Sequence, residues 1–338
     1  MFTKKKFGLL AIMLVLVVGL VGCGEEEDQG IHGAIHRIEY GDNVVYLFGS
    51  MHVGAPEWFP LADVVEEAMG RADVFAFEFD FTMQSYTMEE LGEIVDMLMG
   101  EGQWLPDEQT LADVLPADIY DNFIYYLPTF GVDYEDVYRQ NPVGLVFGLQ
   151  SEITIELFGD IGVSAMESVD FYVLNVAMEE EAEIIGLEPT LQQLRIGFAP
   201  NEEVLAEAGF DAFTLEEIMH SVMADFVSRD EVVEAMRNEE LSLHEYYFRN
   251  DLARINELFQ VDAETWENPY GRYMVEVLMN FRSTYYAERI AGLLRDTNEP
   301  TTFFVTVGLS HIIREGDHLT NIVEQLDLLG IEAVPIFE

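Results

Sequence analysis

The chain has 338 residues, with 64 Asp and Glu against 16 Lys and Arg, and a formal net charge of −48. That balance argues against nucleic acid as a ligand, because phosphate binding needs clustered cations to displace counterions. It argues equally against adsorption to anionic lipid through a basic patch. At 49% hydrophobic and 12% aromatic residues the chain is not a solvated acidic coil. Its length can bury one large core or two smaller ones.

The N-terminus reads as a secretory signal over residues 1–22. Lys4, Lys5 and Lys6 form a positive n-region, and residues 7–18 an apolar core. Leu20-Val21-Gly22-Cys23 resembles a bacterial lipobox, in which the cysteine is lipidated and becomes the first residue. Cys23 is the only cysteine, so no disulfide is available within the mature chain. Two acyl chains on Cys23 would anchor the protein stably, outside the cytoplasm, at the membrane. Residues 23–30, with Glu25-Glu26-Glu27-Asp28, read as an acidic tether, and residues 31–338 as the folded domain. Every positive charge after Lys6 is arginine, which fits an exposed protein adapted to salt or alkali.

In chain order, residues 34–40 and 44–48 flank a Gly41-Asp42-Asn43 turn and read as a hairpin. Residues 61–70 read as a helix and 73–81 as a third strand. Residues 88–149 are mostly helical in pattern, with breaks near Gly102, Pro116 and Pro128. A helix over 171–181 precedes a short apolar strand at 183–187 and a helix from Leu191. Acids and apolar residues at three-and-four spacing continue from 201 to about 295. A buried strand at 302–307, a helix over 317–329 and a strand at 331–337 complete the chain. The order predicts an α/β fold whose central sheet is built from N- and C-terminal strands, with long helical insertions as a cap or second layer. Distant strand ends would then meet side by side, where open α/β sheets bind ligands.

Four pieces could carry chemistry. An apolar strand runs into Gly49-Ser50-Met51-His52, and a second into Gly308-Leu309-Ser310-His311. In each, glycine lets the chain turn off the strand and a histidine follows three residues later. Both histidines could equally be ordinary polar caps of strand ends. A third such string, Gly33-Ala34-Ile35-His36, precedes a strand core and is set aside. Glu78 and Asp80 end the apolar run Val74-Phe75-Ala76-Phe77, and strand alternation puts them on one face. Buried there, Glu78 needs a cation or a histidine; otherwise it reaches water. Arg282 has Leu278, Met279, Tyr285 and Tyr286 at helical spacing and no acid among them. Its partner must come from another element, unless it snorkels to solvent.

In this order the four pieces resemble the TraB/GumN family, whose animal relatives include the Tiki proteins. The resemblance rests on the two Gly-x-x-His motifs, on Glu78, on Arg282 with Ala287 five residues on, and on Gly186-Leu187-Glu188 followed by Gln193-Leu194. It covers about residues 35–337. Ser283 departs from it, since the family usually carries Asn after the arginine. The resemblance implies a Tiki-like, erythromycin-esterase-like fold. It also implies a metal-dependent peptidase acting on a peptide or protein, with manganese or cobalt favoured. His52, Glu78 and His311 would be the metal ligands, and His52, Glu78, Arg282 and His311 the catalytic set. In the erythromycin-esterase relatives a histidine at the first motif is a general base without metal.

Two readings of the site follow. In a surface hydrolase, a metal held by two imidazoles and a carboxylate would generate the nucleophile and Arg282 would stabilise the oxyanion. In the metal-free version His52 deprotonates water and Glu78 orients it. Alternatively the protein is a non-catalytic lipoprotein that captures a peptide below the helical cap, its charge favouring cationic peptides. The sequence holds no Gly-x-Ser-x-Gly elbow, no His-Glu-x-x-His helix and no phosphate-binding Gly-x-x-x-x-Gly-Lys.

Overall fold

The computed structural model describes residues 30–83, 86–98, 103–106, 109–224 and 226–336. Cys23, the acidic run and the signal lie outside these residues. Among the described residues no helix is long and apolar enough to cross a membrane.

Six strands form one mixed sheet: β1 (Ile35–Tyr40), β2 (Asn43–Ser50), β3 (Val74–Phe77), β4 (Glu183–Gly186), β5 (Thr302–Gly308) and β6 (Ala333–Pro335), in the order β4-β3-β5-β2-β1-β6. The hairpin forms as expected, with Tyr40 paired to Asn43 across Gly41 and Asp42, and Gly41 in the left-handed region that the tight turn demands. β2, β5, β3 and β4 run parallel, and β1 and β6 add antiparallel pairs at one side. β2 and β5 are nearly unbroken apolar runs because they lie inside the sheet and are buried along their length.

The sheet differs from expectation at its third strand. Pairing predicted over 73–81 stops at Phe77, so Glu78 and Asp80 do not share a strand face. Asp80 Oδ1 accepts from Thr82 N (2.8 Å) and Thr82 Oγ1 (2.6 Å), and this local side-chain turn draws the chain off the ladder. The helix expected over 317–329 begins only at Ile322, capped by Asn321, whose side chain accepts from Glu324 N.

Two apolar cores result. One surrounds the sheet and includes Phe48, Phe75, Phe304, Tyr286 and Ile290. The other lies among the inserted helices and includes Phe123, Val143, Ile218, Tyr273 and Val277. A single helical rod links them. Its first part, Met274–Phe281, is π-helical, and it continues as the α-helix Arg282–Asp296, which packs on β1 and β2.

Candidate functional site

The parallel pairing of β2 with β5 sets Gly49 opposite Val307 and Ser50 opposite Gly308, so the two histidine motifs leave the sheet side by side. Glu78 follows β3, on the other flank of β5. Three strand ends therefore supply the site, and its position follows from strand order.

The first motif loop is held at three successive carbonyls. Tyr247 Oη donates to Gly49 O (3.0 Å), Leu309 N to Ser50 O (2.8 Å) and Val169 N to Met51 O (3.2 Å). A side chain at Gly49 would place its Cβ 2.6 Å from Leu309 Cδ1. Glycine is what lets the two motifs touch.

His52 Nδ1 lies 3.0 Å from Asp170 Oδ2, and Ser50 Oγ donates to Asp170 Oδ1 (2.7 Å). Asp170 sits in the first turn of the helix Val169–Glu179, whose N-cap Ser168 accepts from Phe171 N. The Asp170 carboxylate raises the His52 imidazole to about 9. The side chain is 68% exposed, so solvent screens part of that attraction.

Glu78 is buried and bonded at both oxygens, with acceptor capacity left on Oε1. Its Oε1 accepts from Gly308 N (2.7 Å), and its Oε2 accepts from Arg282 Nη2 (2.7 Å) and Gln193 Nε2 (2.9 Å). Burial on its own would raise this carboxyl; the Arg282 guanidinium, with His311 and His52, outweighs that and holds it well below the usual range. Arg282 also donates from Nε (2.9 Å) and Nη2 (2.6 Å) to Glu188 Oε1 and from Nη2 to Tyr286 Oη. The partner expected from another element is thus a pair of carboxylates. Glu188 is itself raised by burial, its Oε2 having no hydrogen-bond partner.

His311 stands on the short helix Ser310–Ile313 and is 3% exposed. Its Nδ1 meets Ser283 Oγ at 2.9 Å, so the residue that departs from the family pattern is the one that orients this ring. Burial lowers it to about 3, which keeps it neutral at ordinary pH.

A cleft of about 270 Å³ opens over this cluster, lined by the polar His52, Glu78, Asp170 and Gln193 and by Phe79, Phe81, Ala165 and Phe171. His52 Nε2 and Glu78 Oε1 both flank Gly308, where a Cβ would come within 3.3 Å and 3.2 Å of them. Arg282 and His311 lie behind the cleft and not in its lining. Asp170, Gln193 and Tyr286 were not assigned to the site from sequence. Gln193 and Glu188 belong to the quoted family-like motif, whereas Asp170 looks like any first-turn acid.

Metal ligation by His52, Glu78 and His311 asks for three donors around one point, standing roughly 3.3 Å apart for a tetrahedral ion. The Nε2 atoms of both imidazoles are available. However, His311 Nε2 is 4.0 Å from Glu78 Oε1, and Glu78 already balances a guanidinium. Among the described residues no group of three or more His, Cys, Asp or Glu is disposed to hold an ion. The ligand set does not fit a metal as arranged.

The fold and this strand-end cluster define an α/β protein with a histidine–carboxylate cleft at its parallel strand ends. The model of the TraB/PrgY/gumN family matches residues 34–327, and the chain belongs to that family. No curated protein and no solved structure matches it.

Proposed function

We propose that this protein is a hydrolase of amide or ester bonds in which His52, oriented by Asp170, is the general base. The supporting observation is the His52 Nδ1–Asp170 Oδ2 contact of 3.0 Å, with Nε2 beside Glu78 across Gly308. Asp170 fixes the tautomer and stabilises the imidazolium, and Nε2 takes a proton from water at the substrate carbonyl. Ionised Glu78 orients that water. Arg282, Glu188 and Gln193 act through Glu78 as positioning residues. A base raised to about 9 works best in alkali, which agrees with an acidic chain whose basic residues after Lys6 are all arginine.

The aromatic wall of Phe79, Phe81 and Phe171 favours a substrate with an apolar group beside the scissile bond. The site would face a peptide or protein outside the cytoplasm, with the chain anchored by lipid on Cys23.

The test uses the full chain in mild detergent, stripped with chelator, against peptide and ester libraries with apolar flanks. Turnover that survives the chelator and is lost in His52→Ala is the expected result. Turnover restored only by one equivalent of manganese or cobalt would overturn this mechanism in favour of the metal-dependent one. Peptide binding without turnover would replace it with the capture reading.

A further inference from the structure

Arg314 immediately follows the Ser310–Ile313 helix that carries His311, and it is only 5% exposed. Its Nε and Nη1 are buried without a hydrogen-bond partner. Burial is the one influence on its ionisation, lowering it to about 10, so the guanidinium remains cationic at neutral pH. Arg282, equally buried, has Glu78 and Glu188. Surface arginines such as Arg71, Arg195 and Arg254 meet carboxylates even where water would satisfy them.

The chain carrying Arg314 is tied to other elements. Arg314 O accepts from Asn321 Nδ2 (3.0 Å), Glu315 N donates to Asn256 Oδ1 (3.1 Å), and Glu315 O accepts from Gln260 Nε2 (2.8 Å). These bonds pin the backbone at Arg314 and Glu315. Burying a cation without a counter-charge is among the costliest arrangements a fold can keep. In a chain with 64 acidic residues against 16 basic ones, an internal acid would be the simplest remedy, and none is there among the described residues.

We propose that Arg314 is a seat for a carboxylate carried by a ligand of this protein, at the inner end of the His311 helix. A singly charged, planar carboxylate neutralises one guanidinium and matches its hydrogen-bonding geometry. The inference stands apart from the hydrolase reading, since it concerns binding and not turnover.

The experiment is thermal unfolding of the full chain in mild detergent at fixed sodium, so that cation screening of the acidic surface is constant. Sodium acetate is compared with sodium chloride, and an N-acetyl dipeptide with its C-terminal amide, in wild type and in Arg314→Gln. The expected result is a saturable rise in midpoint of about 3 °C in wild type, with either acetate or the dipeptide acid, absent with the amide and absent in the variant. A response to acetate assigns the seat to a free anion, and a response to the dipeptide acid alone assigns it to the carboxylate of a larger ligand. Equal behaviour of acid and amide in wild type with no response to acetate overturns the proposal, as does an undiminished response in Arg314→Gln. Should that variant fail to fold, the wild-type comparisons of acetate with chloride and of acid with amide decide together.

Discussion

The two Gly-x-x-His segments have the same spacing, leave neighbouring parallel strands and are bonded to each other through Leu309 N and Ser50 O. Their histidines nevertheless differ in every respect that governs chemistry. His52 is exposed, sits in a loop and is pushed up by a carboxylate. His311 is buried, sits on a helix, meets a hydroxyl and is pushed down by desolvation. A motif fixes where a residue goes, and the elements packed around it fix its protonation state. One copy is equipped to move protons and the other to remain a neutral, rigid support.

The largest expected effect follows from removing the exposed member. His52→Ala should lower kcat/KM by about 10²- to 10⁴-fold with little change in unfolding midpoint, as steady-state kinetics beside thermal denaturation will show. An equal loss in His311→Ala, with stability unchanged, would break the asymmetry.

Next is Asp170→Asn, which should cost about 10²-fold or more in kcat and move the pH profile. Activity carried by neutral imidazole rises with pH and levels off near 9 in the wild type. With Asp170 neutralised, Glu78 and Arg282 are the charges left facing the ring, and the ascending limb should fall towards 6.5. An unmoved limb assigns the titration to another group.

His311 sharpens the contrast through stability. Its folded pKa is lowered to about 3 from 6.5, so its contribution is complete above 6.5 and is lost as pH falls towards 3. That loss amounts to at most about 5 kcal/mol, and His311→Gln should flatten the stability profile over the same window in denaturant titrations. His52 has the opposite sign: its contribution is present below 6.5 and fades as pH rises to about 9, and its exposure keeps it small.

The smallest effect is expected for Gly308→Ala. The added methyl would press on Glu78 Oε1 and His52 Nε2, and kcat should fall about tenfold while stability changes by only about 1 kcal/mol. A variant as active as the wild type would mean that the two groups have room to part.

Much of this arrangement was legible because it depends on breaks in pattern. Apolar strands that stop at glycine mark the two motif loops, and an arginine on an apolar helix face demands a distant acid. Asp170 was not legible, since an acid after Ser168 is what any helix start carries. The end of β3 was missed because Asp80 and Thr82 bend the chain through a side-chain turn that alternation does not register. Ser283 was noticed only as an oddity. Its role depends on His311, 28 residues away along the chain, and only the packed structure brings the two together.

The π-helical stretch Met274–Phe281 has a consequence for how this sequence can change over generations. Inward-facing positions on the rod run Tyr273, Val277, Arg282, Tyr286 and Ile290, four apart except for one step of five. That extra residue is a phase shift between two stretches of helix that share one axis. Upstream, the rod is indexed to the cap; downstream, to the sheet. Losing a single residue there without closing the π turn would rotate Arg282, Tyr286 and Ile290 together by about 100°, taking the guanidinium off both carboxylates and the apolar face off the sheet. Point substitutions can therefore accumulate in the cap while the guanidinium keeps its bearing, but the count of residues between the two cores is fixed.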